Sequence, residues 1–131
     1  MIRRKVLPKT TKYKADYTEL LKTLDYIAGL QHGWDGDSTR AFTPVIMENI
    51  KKFLDEIVIT NCCDISITPI TDSTISILAR HKYSPAIPLS FRISDRTFQA
   101  NCMEGCEVKF TVWGNFEQAS LHRLSRILRA L

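Results

Sequence analysis

A chain of 131 residues, 44% hydrophobic and 24% charged, reads as one ordinary domain able to bury roughly two thirds of its unfolded surface, which excludes disordered and collagen-like classes. No apolar run approaches the roughly 18 residues that span a bilayer, and the basic start Met1-Ile2-Arg3-Arg4-Lys5-Val6-Leu7-Pro8 has no apolar stretch behind it, so a cytoplasmic protein without membrane contact is expected. The net charge of +4 is uneven: Arg3, Arg4, Lys5, Lys9, Lys12 and Lys14 near the start and Arg123, Arg126 and Arg129 near the end come without acids, while residues 15–118 carry nine bases against fourteen acids, a net of −5.

Residues 1–15 lack apolar periodicity and read as a basic N-terminal arm, leaving 16–131 as a single domain. Asp16 with Glu19 three residues on has the form of a capping box. Tyr17, Leu20, Leu21, Leu24, Ile27 and Ala28 then recur at helical spacing, and Gly29, Gly33 and Gly36 supply stop signals. Thr43-Pro44 starts a second helix: a hydroxyl bonds an orphan amide and a ring presets φ. Ile46, Ile50, Phe53, Leu54 and Ile57 form its stripe, with an end expected between Ile57 and Thr60.

From Asp64 the period changes from 3.6 to 2. Ile65 and Ile67; Ile75 and Ile77; Ile87, Leu89, Phe91 and Ile93; Phe98, Ala100 and Cys102; and Val108, Phe110 and Val112 alternate with polar neighbours. Five short strands with brief links imply an antiparallel meander with one wet face. Pro88 predicts a local sheet edge in the third strand, and Asp95-Arg96 a two-residue hairpin turn. A last helix, with Asn115 as N-cap, is expected from Phe116 to Leu131; Leu121, Leu124, Leu128 and Leu131 share one face and Arg123, Arg126 and Arg129 another. The predicted fold is α+β: two N-terminal helices, a five-stranded meander and a C-terminal helix, the helices on one sheet face.

The richest stretch chemically is Gln31-His32-Gly33-Trp34-Asp35-Gly36-Asp37. Asp35-Gly36-Asp37-Ser38-Thr39 spells the D-x-D-x-T of haloacid-dehalogenase-like phosphotransferases, but those place it at a strand tip in a parallel sheet, and here it follows a helix. As a calcium loop it has Arg40 in place of the turn glycine and Ile46 in place of the closing glutamate. The same residues make a structural corner: Gly33 and Gly36 supply positive φ, Trp34 packs, and Asp35 caps a turn. His32, His81 and His122 are scattered, and no nucleophile elbow or phosphate loop is present. Cys102 and Cys106 have metal-compatible spacing and Cys62-Cys63 do not; all four read as ordinary cysteines, with metal ligation left open. No catalytic residue, metal or cofactor is assigned.

The Gly33-Trp34-Asp35-Gly36 tetrapeptide after a leucine-rich helix carrying Leu24 and Leu30, the helix after Pro44, and Ile67-Thr68-Pro69 before the Asp72 turn resemble a group of small, mostly uncharacterised bacterial proteins with a Gly-Trp-Asp-Gly motif. The resemblance spans roughly residues 20–95. It departs at Asp72-Ser73, where the group has Asp-Gly, and at Leu78-Ala79, where it has an acid and a tryptophan. That group is similar to accessory products of mobile elements, phage included, so the resemblance implies antitoxin, immunity or defence-inhibitor roles and no established activity.

Three functions follow as expectations. The first is a non-enzymatic protein that occupies a partner protein through its charged ends and exposed sheet or helix surface, including the Pro85-to-Pro88 edge and the leucine face, which also allows a homodimer. The second is nucleic-acid binding by Arg3, Arg4, Lys5, Lys9, Lys12, Lys14, Arg123, Arg126 and Arg129, with Tyr13, Tyr17 and Tyr83 as stacking surface. The third is a metal-dependent hydrolase centred on His32, Asp35 and Asp37.

Overall fold

The computed structural model describes residues 17–31, 33–34, 36, 41–71 and 74–131. The predicted basic arm, the Asp16 cap, His32, Asp35 and Asp37 lie outside these residues.

Helix α1 (Tyr17–Ala28) buries Leu20, Thr23, Leu24 and Ile27 along the stripe its spacing dictates. Helix α2 (Pro44–Phe53) starts as the sequence requires, with the Thr43 hydroxyl accepting the Ile46 amide at 3.3 Å and Pro44 in the first position. The helical count differs from the two expected. After α2 the backbone widens into a π-helical segment, Leu54–Val58, in which the Ile59 amide reaches back to the Leu54 carbonyl, and a short α3 (Ile59–Asn61) follows. The widening leads into the β-branched run Ile57-Val58-Ile59-Thr60, whose side chains crowd the preceding turn of an α-helix. Leu54, Ile57 and Val58 remain fully buried through it.

The sheet follows at once: β1 (Cys62–Thr71), β2 (Thr74–His81), β3 (Pro88–Ile93), β4 (Thr97–Glu104) and β5 (Glu107–Asn115), all antiparallel in sequential order. β1 begins two residues before Asp64, which instead sits in a bulge at φ 52° between Cys63 and Ser66. The edge predicted at Pro88 is not there. β3 is the central strand, and Pro88 is tolerated because it is the strand's first residue, where a missing amide interrupts no ladder. The Asp95-Arg96 turn forms without glycine because the Ser94 hydroxyl accepts the amides of Arg96 and Thr97.

Inward-facing rows run straight across the sheet. Ile67, Ile77, Phe91, Ala100 and Val112 form one, and Pro69, Ile75, Ile93, Phe98 and Gly114 another. Phe53 links them to the helices, its ring 5.3 Å from Phe91 and 5.2 Å from Phe98, with Phe116 completing the aromatic cluster. Val108, expected inward, is half exposed because the register slips at Cys102/Met103 and pairs it with Met103.

The last helix, α4 (Gln118–Arg129), starts two residues later than expected, with Glu117 at the N-cap. Asn115 stays in β5, where its carboxamide accepts the Glu117 amide and its own amide donates to the Ser120 hydroxyl. Leu121, Leu124 and Leu128 are buried against the sheet and Leu131 is half buried, so the leucine face is core and offers no docking surface. His81 ties the C-terminal end of α4 to the sheet. Its Nε2 donates to the Leu128 carbonyl at 2.6 Å, while Nδ1 accepts the amides of Tyr83 and Ser84, which together define the tautomer. No helix among the described residues is long and apolar enough to cross a membrane.

Candidate functional site

Because side chains alternate across a strand, burying the inner rows sends the intervening residues to the opposite face. No described element covers that face. One outer row joins all five strands through Thr68, Ser76, Arg92, Gln99 and Trp113. The next holds Ser66, Leu78, Ser90, Asn101 and Thr111. Trp113 is 62% exposed and Leu78 53%, and Arg80 and Arg92 are exposed without an ion pair among the described residues. Asn101 is held by the Thr111 hydroxyl, which donates to its carboxamide oxygen at 2.8 Å.

Beside the bulge this face is indented by a groove of about 600 Å³, lined by Asp64 and Ser66 of β1, Leu78 and Arg80 of β2, Pro88 and Ser90 of β3, and Met103 with Gly105 at the β4–β5 turn. The Arg80 guanidinium is steadied by the Pro85 carbonyl at 3.1 Å.

The free edge at β5 is partly closed by α4: the Arg123 guanidinium donates to the Trp113 carbonyl at 3.1 Å. Of the three arginines singled out from the sequence, Arg123 therefore serves the edge strand, whereas Arg126 and Arg129 are exposed without a partner among the described residues. Tyr17 donates its hydroxyl to Asp55, a bond that raises its pKa and occupies its polar end. Tyr83 is largely exposed, its ring edge-on to His81. Arg3, Arg4, Lys5, Lys9, Lys12, Lys14 and Tyr13 lie outside the described residues.

The tetrapeptide corner is distant in kind from this surface. Trp34 is 7% exposed and stacks at a tilt on Phe42, ring centroids 5.7 Å apart, while Gly33 and Gly36 take φ of 79° and 89°. Those backbone angles are open to glycine and strained for a side chain.

The cysteines divide by environment. Cys62 is buried, and desolvation pushes its thiol up to about 12; burial also raises Cys102, which lies in the core while Cys106 is exposed on the turn. No group of three or more metal-capable side chains gathers among the described residues. His122 is exposed beside Gln118, and His81 is consumed by its structural bonds.

Sequence reasoning passed over Trp113, Arg92 and Arg80. The signal was the strand period itself: with Phe110 and Val112 inward, Trp113 must point out, and an outward tryptophan is an unusual use of so large an apolar surface. No family model, curated protein or solved structure matches this chain.

Proposed function

We propose that this is a non-enzymatic, cytoplasmic accessory protein that acts by occupying a partner protein, with the open sheet face as its contact surface. The observation that carries the reading is the outer row ending in Trp113, with Arg92 and Leu78 on the same face. Tryptophan, arginine and methionine are enriched where proteins bind proteins, and tryptophan and arginine are among the side chains that most often form hot spots. An antitoxin, immunity or defence-inhibitor role suits a small protein that works by occlusion, as does the resemblance of the Gly-Trp-Asp-Gly stretch.

The test is retention of a single protein partner, at stoichiometric amounts, by the tagged chain. Trp113→Ala and Arg92→Glu should each weaken that retention by tenfold or more, since truncating a tryptophan or arginine anchor costs about 2 kcal/mol or more. Retention unchanged in both variants refutes the surface assigned.

Nucleic-acid binding is the second reading, favoured by the exposure of Arg126 and Arg129 without partners among the described residues. It requires DNA or RNA retention that weakens steeply with salt and is lost on removing residues 1–14. That result in place of a protein partner would replace the first reading.

A further inference from the structure

We propose that the groove beside the β1 bulge binds a free α-amino acid with an apolar side chain. The groove lies on the face assigned to partner binding and shares Leu78 with it, but the ligand site uses Asp64, Ser66 and Arg80 and not the Trp113 row. Loss of amino-acid binding and loss of partner retention are therefore read separately.

Three observations converge there. The first is Ser66. Its residue is only 4% exposed, it lines the groove, and its hydroxyl has no hydrogen-bond partner among the described residues. A buried hydroxyl left unmatched carries a desolvation cost, and native structures normally satisfy such a group with protein, water or ligand. The Ser90 hydroxyl, across Leu78 in the same row, is likewise unpartnered among the described residues.

The second is charge. Asp64 and Arg80 line the same groove from neighbouring strands yet form no ion pair. The guanidinium donates to the carbonyl of Pro85 in the β2–β3 loop, and the bulge sets Asp64 off the regular register. A simple anion would satisfy Arg80 but face Asp64, and a simple cation the reverse. A ligand carrying an ammonium and a carboxylate satisfies both, the carboxylate meeting a guanidinium fork shaped for it. A polyanion such as single-stranded nucleic acid is disfavoured by the same carboxylate.

The third is the remaining lining. Leu78, Pro88 and Met103 give the groove an apolar flank for an uncharged side chain, and its volume of about 600 Å³ falls within the range of small-molecule sites. In this arrangement Asp64 takes the ammonium, Arg80 the carboxylate, and the serine hydroxyls the remaining polar contacts.

The experiment titrates the full chain with free leucine, N-acetyl-leucine (no ammonium) and leucinamide (no carboxylate), following backbone amide shifts by NMR. Leucine should bind with a Kd of about 1 mM or tighter and move the amides of Ser66, Leu78 and Ser90. Each analogue should bind about tenfold more weakly or worse, the usual loss for a charged hydrogen bond. In Asp64→Asn, whose side chain tolerates the positive φ, leucine and N-acetyl-leucine should become equivalent; in Arg80→Gln, leucine and leucinamide should. Thermal melting of both variants establishes that they are folded. No binding of leucine at about tenfold above that Kd, shifts that map elsewhere, or discrimination that survives in the variants would overturn the proposal.

Discussion

Replacing Gly114 by alanine tests how the sheet and α4 are joined. Gly114 faces inward in β5 directly opposite Phe98, and a Cβ there would stand 2.3 Å from the Ser120 Oγ and 2.4 and 2.7 Å from two ring carbons of Phe98. No carbon tolerates such separations, so something must move. Phe98 is fully buried between Phe53 and Phe116, which leaves its ring nowhere to go without disturbing the aromatic cluster. Forcing a methyl into a filled core costs about 1–3 kcal/mol. Displacing Ser120 also breaks its bond from the Asn115 amide, 3.1 Å long, which turns the chain into α4. That loss adds about 1 kcal/mol. Against these, alanine restricts the unfolded chain and returns about 0.4–1 kcal/mol. The net is a loss of about 1–3.5 kcal/mol, and for a chain of this length a fall in Tm of about 4–12 °C. Thermal unfolding followed by circular dichroism measures it. Adding Ser120→Ala should recover only part of the loss, because the ring contact remains; Phe98→Leu in the Gly114→Ala background should couple favourably with it. A Gly114→Ala protein that melts within about 2 °C of the parent refutes the argument, since its lower bound is twice that shift.

Trp34→Ala should lower stability by about 3–5 kcal/mol in urea titration, the range for a large buried truncation; unchanged stability together with lost partner binding would make the corner a contact site instead. His81→Leu should cost about 1–3 kcal/mol by the same measurement, chiefly because the Leu128 carbonyl loses its partner inside the fold, while the part-buried amides of Tyr83 and Ser84 can turn to water. Cys62 gives a pH dependence: the folded chain holds this thiol protonated up to about 12, while the unfolded chain releases the proton from its ordinary value of 9.0. Its contribution to stability is therefore complete below pH 9 and is lost as pH rises from 9 towards 12; Cys62→Ala should flatten that decline, whatever its effect at neutral pH. In alkylation at pH 8, exposed Cys106 should react first and Cys62 only on unfolding.

Much of the architecture was legible along the chain because it rests on local periodicity. The apolar spacing of Leu20, Leu24 and Ile27, the Thr43-Pro44 start and the alternation through the strands each use only neighbours a few residues away, and apart from the start of β5 each appears in the structure. Local signals were misleading where a partner in space decided the outcome. Pro88 looked like an edge, but its place in the sheet depends on which strands flank β3. Asn115 looked like a helix cap, but Ser120 and Glu117 bind it into the end of β5. Val108 followed the alternation and was turned outward by a register slip set by its partner strand.

The sequence by itself determined the α+β class, the meander, the core stripes and the glycine-borne corner around Trp34, since backbone preference and burial act on contiguous residues. Only the tertiary structure decided which side chains share a surface. Trp113, Arg92 and Leu78 come from three different strands, and Asp64, Ser66 and Arg80 line one groove beside the bulge of β1 against β2. A functional surface built across a sheet is a property of register, and register is a relation between distant residues that no local pattern records.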